Sequence, residues 1–126
     1  MDTKYYLAVD IGASSGRHML CHMEEHKMVL EGIYRFPNGM TEKNGHKVWD
    51  VKRLFDEIRK GMRKCAELGK IPYSMGIDTW AVDYVLLDEN DKVLGDVYAY
   101  RDSRTQEIDQ NCGKWLQSVL LYSRTE

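Results

Sequence analysis

Prolines are scarce in this chain, two in 126 residues (Pro37 and Pro72). That scarcity excludes a polyproline spacer, and with neither a low-complexity tract nor an internal repeat, one domain is the natural expectation at this length. Cysteines number three, Cys21, Cys65 and Cys112, an odd count spread widely. No disulfide framework is expected, and the thiols should be reduced, as in a cytosol. No cysteine and histidine cluster has zinc-ligand spacing. An excess of one charge is also missing, because 18 basic against 20 acidic side chains leave a formal net charge of −2. Such a balance offers no electrostatic footprint for nucleic acid or an anionic membrane. The opening MDTKYYLAVD carries only a short apolar stretch closed by an acid, too short for a signal-peptide core or a bilayer span. A cytoplasmic chain with neither nucleic acid nor membrane as partner is the expectation.

What the chain does have is YYLAVDIGASSGR at residues 5–17. An apolar run of strand formers ends in Asp10, turns through Gly12–Gly16 and restarts at Arg17, which reads as a β-hairpin. Glycines there open backbone angles closed to other residues, and successive amides in such a turn converge on an anion. Ser14 and Ser15 add hydroxyl donors and Arg17 a cation. Asp10 would repel a bare phosphate, so its position makes sense with a divalent cation between the two. A magnesium nucleotide meets all these needs; the plain alternative is a Gly/Ser hairpin that simply turns, with Asp10 bonding its own loop amides. No Gly-Lys follows, so this is not the strand–loop–helix phosphate motif.

Two further strands are predicted over residues 17–23 and 27–36, completing an antiparallel meander. His18, Leu20 and His22 share one face; the histidines there, with His26, read as surface residues and not metal ligands. Residues 36–49 hold two turn signatures, Pro37-Asn38-Gly39 and Asn44-Gly45, and read as a loop with room for a small hairpin. Asp50 is a helix N-cap, and Val51, Leu54, Phe55, Ile58, Met62 and Cys65 form the core stripe, with Glu57 among the charges off it and a stop at Gly69. Residues 73–78 read as a strand parallel to a neighbour. Thr79, Trp80 and Ala81 follow at the end of that strand, where open α/β sheets place ligands, and Asp78 and Asp83 flank the tryptophan. Taken alone, Trp80 reads first as a core aromatic whose indole N–H finds a backbone partner. Residues 82–87 read as another strand. Ser103 and Gln106 form a capping-box pattern that starts a helix carrying Ile108, Cys112, Trp115, Leu116 and Val119. Asp102 and Arg104 are either an ion pair at that helix start or polar groups aimed at a polyol.

Three stretches in order, VDIGASSGR, GIDTWAVDYVLLD and YAYRDSRT, resemble the N-terminal domain of the rhamnulokinase branch of the FGGY carbohydrate kinases. The resemblance implies an α/β, ribonuclease H-like (actin-like ATPase) fold: a mixed sheet starting with the three-stranded antiparallel meander, helices packed on it, and a partial domain. Residues 1–126 would then be a truncated N-terminal domain, with the C-terminal nucleotide-binding half of the kinase as its missing partner. It also implies ATP and Mg2+ as cofactors and L-rhamnulose as the sugar substrate. Asp10 would hold magnesium-bound water, and Ala13, Ser14, Ser15, Gly16 and Arg17 would contact the ATP phosphates. Asp78, Thr79, Trp80 and Ala81 would lie by the ketose, Ala81 standing where the family usually has glycine, and Asp102 and Arg104 would shape the sugar side. The catalytic base would lie beyond residue 126, so the isolated chain is expected to be inactive. The alternative is a non-catalytic remnant that binds sugar or a partner.

Overall fold

The computed structural model describes residues 3–108 together with 111 and 112. Strand β1 (Tyr5–Ile11) pairs antiparallel with β2 (Ser15–Glu24), which pairs antiparallel with β3 (Lys27–Pro37), so the expected meander is present. The β2–β3 turn is two residues, Glu25 and His26, both with positive φ, the twist that suits tight hairpins. Helix α1 (Val51–Glu67) follows a small hairpin of β4 (Thr41–Lys43) and β5 (His46–Trp49), turned at Asn44-Gly45 with φ of 52° and 78°. The chain then enters β6 (Pro72–Thr79), which lies parallel to β1 and completes a mixed sheet of order β3-β2-β1-β6.

Helix α1 begins where the sequence indicates: the Asp50 carboxylate accepts from the Arg53 amide at 2.9 Å. It ends with Gly69 at φ +66°, whose amide bonds Ala66 O while the Lys70 amide bonds Cys65 O, a two-bond C-terminal cap open to glycine at little cost. Alternate residues of the sheet, Leu7, Val9, Ile11, Leu20 and Phe36, form the core beneath it with Cys65. The predicted stripe is rotated, however. Phe55 is 60% exposed, whereas Glu57 and Gly61 are buried. Polar groups on the sheet explain this, because the Tyr34 hydroxyl donates to Glu57, which Lys60 also pairs at 2.9 Å. His18 is likewise no surface residue. It is 0% exposed, its Nε2–H donates to the Ile58 carbonyl at 3.2 Å, and its ring occupies the space a Gly61 side chain would need.

A second sheet, β4-β5-β7, is added by β7 (Val97–Tyr98) pairing with β5. Trp49, Val97 and Ala99 form its core. The strand expected over residues 82–87 is reduced to one bridge, Leu87 with Val93. Val82 sits at φ +71°, an outlying conformation for a β-branched residue that breaks the extended run. After β7 the helical region starts one residue earlier than predicted. Asp102, not Ser103, is the cap, accepting from the Arg104 amide; Trp115, Leu116 and Val119 lie outside the described residues.

Candidate functional site

Parallel pairing places the ends of β1 and β6 side by side, with Asp10 opposite Asp78 and Ile11 opposite Thr79. The hairpin sets Arg17 across from Asp10 on the other flank. Since Leu7, Val9 and Ile11 face the helix side, strand alternation sends Asp10 and its neighbours Arg17 and Asp78 to the opposite face. There the Arg17 Nε–H donates to Asp10 Oδ2 at 2.9 Å, with both side chains about half exposed. Two carboxylates and one guanidinium thus share an open strip at the strand ends.

The turn beside them is braced from within. Its Gly12 amide bonds Ser15 O at 2.9 Å, the Asn38 amide bonds Ser14 O at 2.9 Å, and the Asn38 side-chain amide donates to Gly12 O at 2.8 Å. Arg53 in turn holds Asn38 Oδ1 at 2.9 Å. These bonds engage turn carbonyls, whereas the Ala13 and Ser14 amides donate to no acceptor among the described residues. The Ala13 methyl packs against the second core, so its main chain, and not its side chain, is what remains for a ligand. The glycines serve differently from expectation. Neither Gly12 nor Gly16 has positive φ; a Cβ on Gly16 would lie 2.1 Å from the Phe36 ring, so close packing demands glycine there. Open amides, a nearby carboxylate and an arginine are the donor set that a polyphosphate with a hydrated divalent cation requires.

After β6 the chain is tied to the second sheet. Trp80 Nε1–H and Trp49 Nε1–H both donate to Asp83 Oδ2 at 2.7 Å, and the two indole rings lie 4.3 Å apart. Trp80 therefore finds a carboxylate partner, and it packs against both cores. Ala81 lies between Trp80 and the strained Val82.

Asp102 takes one of its two expected parts, an ion pair at the helix start, with Arg104 Nη1 3.7 Å from its Oδ2. Its carboxylate accepts from the Lys47 amide at 2.7 Å, the Arg104 amide at 3.1 Å and His46 Nδ1 at 3.1 Å, and its side chain is 1% exposed. The Lys47 amide bond first, then the other donors, hold its pKa at about 2, against the desolvation that opposes them. A carboxylate so engaged supports Arg104 and His46. Arg104 stacks its guanidinium 4.5 Å over the Tyr98 ring and lines, with Tyr84 and Tyr98, a cavity of about 300 Å3.

A model of the FGGY family of carbohydrate kinases, N-terminal domain, matches residues 5–126. The chain belongs to the FGGY carbohydrate kinases. This FGGY domain is 51% identical over 121 residues to a rhamnulokinase of Halalkalibacterium halodurans, covering 96% of the chain and 26% of that protein. It is 49% identical over 120 residues to a rhamnulokinase of Mannheimia succiniciproducens, covering 94% of the chain and 25% of that protein. The chain thus spans about a quarter of the length of these relatives. Among solved structures, a gluconate kinase from Lactobacillus acidophilus matches with a TM-score of 0.72 at 17% identity, over 97% of the chain and 25% of that protein. A xylulose kinase from the same organism matches with a TM-score of 0.63 at 17% identity, over 95% of the chain and 24% of that protein. The actin-like fold expected for an FGGY domain is therefore the fold observed. Among the described residues, no helix is long and apolar enough to cross a membrane.

The sequence of this FGGY domain does not mark Asn38 or Trp49 as site residues. The first read only as part of a turn signature, and nothing local marks the second, whose carboxylate partner is 34 positions away.

Proposed function

We propose that this chain is the N-terminal part of a kinase that transfers the γ-phosphoryl group of ATP to the primary hydroxyl of L-rhamnulose, giving L-rhamnulose 1-phosphate in cytoplasmic L-rhamnose breakdown. The observation that carries this reading is the 51% identity to a rhamnulokinase along 96% of the chain. The open Ala13 and Ser14 amides next to Asp10 and Arg17 support the phosphate side of it.

In this reading Ala13, Ser14, Ser15, Gly16 and Arg17 hold the ATP phosphates, Gly16 and Ala13 through their main chain. Asp10 holds the water shell of Mg2+, which supplies charge neutralisation to the transferring group. Asp78, Thr79, Trp80 and Ala81 line the sugar, Arg104 borders it, and Asp102 supports Arg104. Phosphoryl transfer rests on positioning and electrostatics, and it also needs a base at the sugar hydroxyl. None of these residues takes that part, so the isolated 126-residue chain does not turn over.

The test is a chimera in which residues 1–126 replace the matching quarter of the Halalkalibacterium rhamnulokinase. L-Rhamnulose-dependent ADP release is expected from the chimera, lost in Asp10→Asn and absent from the 126-residue chain alone. A folded chimera that releases no ADP with this sugar contradicts the assignment, and robust turnover by the short chain contradicts its predicted inactivity.

A further inference from the structure

We infer that Asp83 is a positioning residue for the sugar, acting through Trp80 and Trp49 to hold the main chain of Ala81 in one conformation. This deepens the proposed function and rests on it, since it assumes that Ala81 faces the ketose.

Three observations converge on this. One carboxylate oxygen, Asp83 Oδ2, accepts both indole N–H groups at 2.7 Å, and the rings meet at 4.3 Å. Charge-assisted bonds of that kind are stronger than neutral ones. Second, the two tryptophans belong to different sheets. Trp49 ends β5 and is 4% exposed, while Trp80 follows β6 at the edge of the other sheet. The clasp is therefore a strut between the two cores, and Trp80 packs on both. Third, the segment it spans is strained. Val82 holds φ +71° although the residue is 78% exposed, so burial does not compensate the strain. Backbone strain of this kind persists only when surrounding structure over-determines it, and it gathers at ligand clamps. Here the over-determining structure is the clasp, with the Trp80 and Asp83 side chains anchoring either side of Ala81-Val82. An alanine can contact a polyol only through its main chain and one methyl, so its usefulness depends on being fixed in place.

Amide and indole NMR of the 126-residue chain tests this. Two indole N–H signals protected from exchange are expected, and both lose protection in Asp83→Leu, which is similar in size but accepts no hydrogen bond. Asp83→Asn, whose side-chain oxygen still accepts, should retain them. Titration with L-rhamnulose should shift the Ala81 amide, with the affinity falling about tenfold or more in Asp83→Leu and little in Asp83→Asn. Val82→Gly separates positioning from stability. It removes an exposed side chain and relieves the positive φ, so the melting temperature should hold or rise while sugar affinity falls. Equal sugar affinity in the parent, Asp83→Leu and Val82→Gly overturns the positioning role and leaves the kinase reading standing. No sugar-induced shift in the parent overturns the placement of Ala81 by the ketose and this inference with it, while the kinase reading is decided by the chimera, and unprotected Trp49 and Trp80 indole signals in the parent overturn the clasp alone.

Discussion

Replacing Gly61 with alanine sets two effects of opposite sign against each other. Alanine is the better helix former, which alone favours α1 by about 1 kcal/mol. Yet the added Cβ would stand 2.1 Å from His18 Cδ2 and 2.2 Å from Nε2, where ordinary contact begins at about 3.4 Å. The ring has nowhere to go. It is 0% exposed and flanked by Tyr34 and Phe36, with ring centroids at 5.5 and 6.3 Å. Any shift also breaks its bond to the Ile58 carbonyl. Overpacking of a core costs about 1–3 kcal/mol, and the broken bond adds about 1. Gly61→Ala should therefore destabilise by about 1–3 kcal/mol net, after subtracting the helix gain. Urea unfolding followed by far-ultraviolet circular dichroism reads this, with Gly39→Ala, where nothing lies within 4 Å, as the near-neutral control. In a His18→Ala background the added methyl enters vacated space, so the same substitution should become neutral or stabilising. A Gly61→Ala variant more stable than the parent would refute the packing of His18 against α1.

Acid should weaken the fold in two windows. Burial holds His18 below its ordinary 6.5 despite the Ile58 carbonyl and Glu57, so the unfolded chain binds the proton first. Stability is then full above about pH 6.5 and declines as pH falls through that value. Asp102, held at about 2, and Glu57, held below its ordinary value by the Tyr34 hydroxyl and Lys60, contribute above about pH 4.5 and lose that contribution as pH falls toward 2. Urea midpoints across this range check both, and a midpoint that rises on acidification from neutrality contradicts the first. The outer edge of β6 is unpaired among the described residues, with Tyr73 75% and Ile77 50% exposed; such edges template pairing with another chain. The isolated chain should associate as concentration rises in light scattering, and Ile77→Lys should keep it monomeric; association unchanged by Ile77→Lys would contradict the edge as its cause.

Features set by neighbours in sequence are legible in the sequence itself. The β1–β2 hairpin follows from an apolar run ending at Asp10 and Gly12. Helix α1 follows from Asp50 at its start and Gly69 at its end, because caps and turns are decided within a few residues. The same locality explains the failures. Periodicity placed Glu57 on the solvent side because it counts apolar residues, while the decisive partner, Tyr34, is on a strand 23 positions away. Residues 82–87 have strand composition, but the demand of two indoles on Asp83 and the positive φ at Val82 outweigh it. Asp102 presented two readings, and its choice between them depends on the Lys47 amide, 55 positions earlier. At the candidate site, Asp10, Ser14, Arg17 and Asp78 were legible as chemistry, whereas the Asn38 brace and the Trp49 strut depend on tertiary contacts alone.

The central claim is that the turn after β1 receives a magnesium polyphosphate through its main-chain amides. Amide chemical shifts of the 126-residue chain, followed as ATP is added with and without Mg2+, test it most directly. The account predicts shifts concentrated at Ala13, Ser14 and Ser15, dependent on Mg2+ and abolished by Asp10→Asn. Shifts that spare the turn, or that persist unchanged without Mg2+ and in Asp10→Asn, would contradict it.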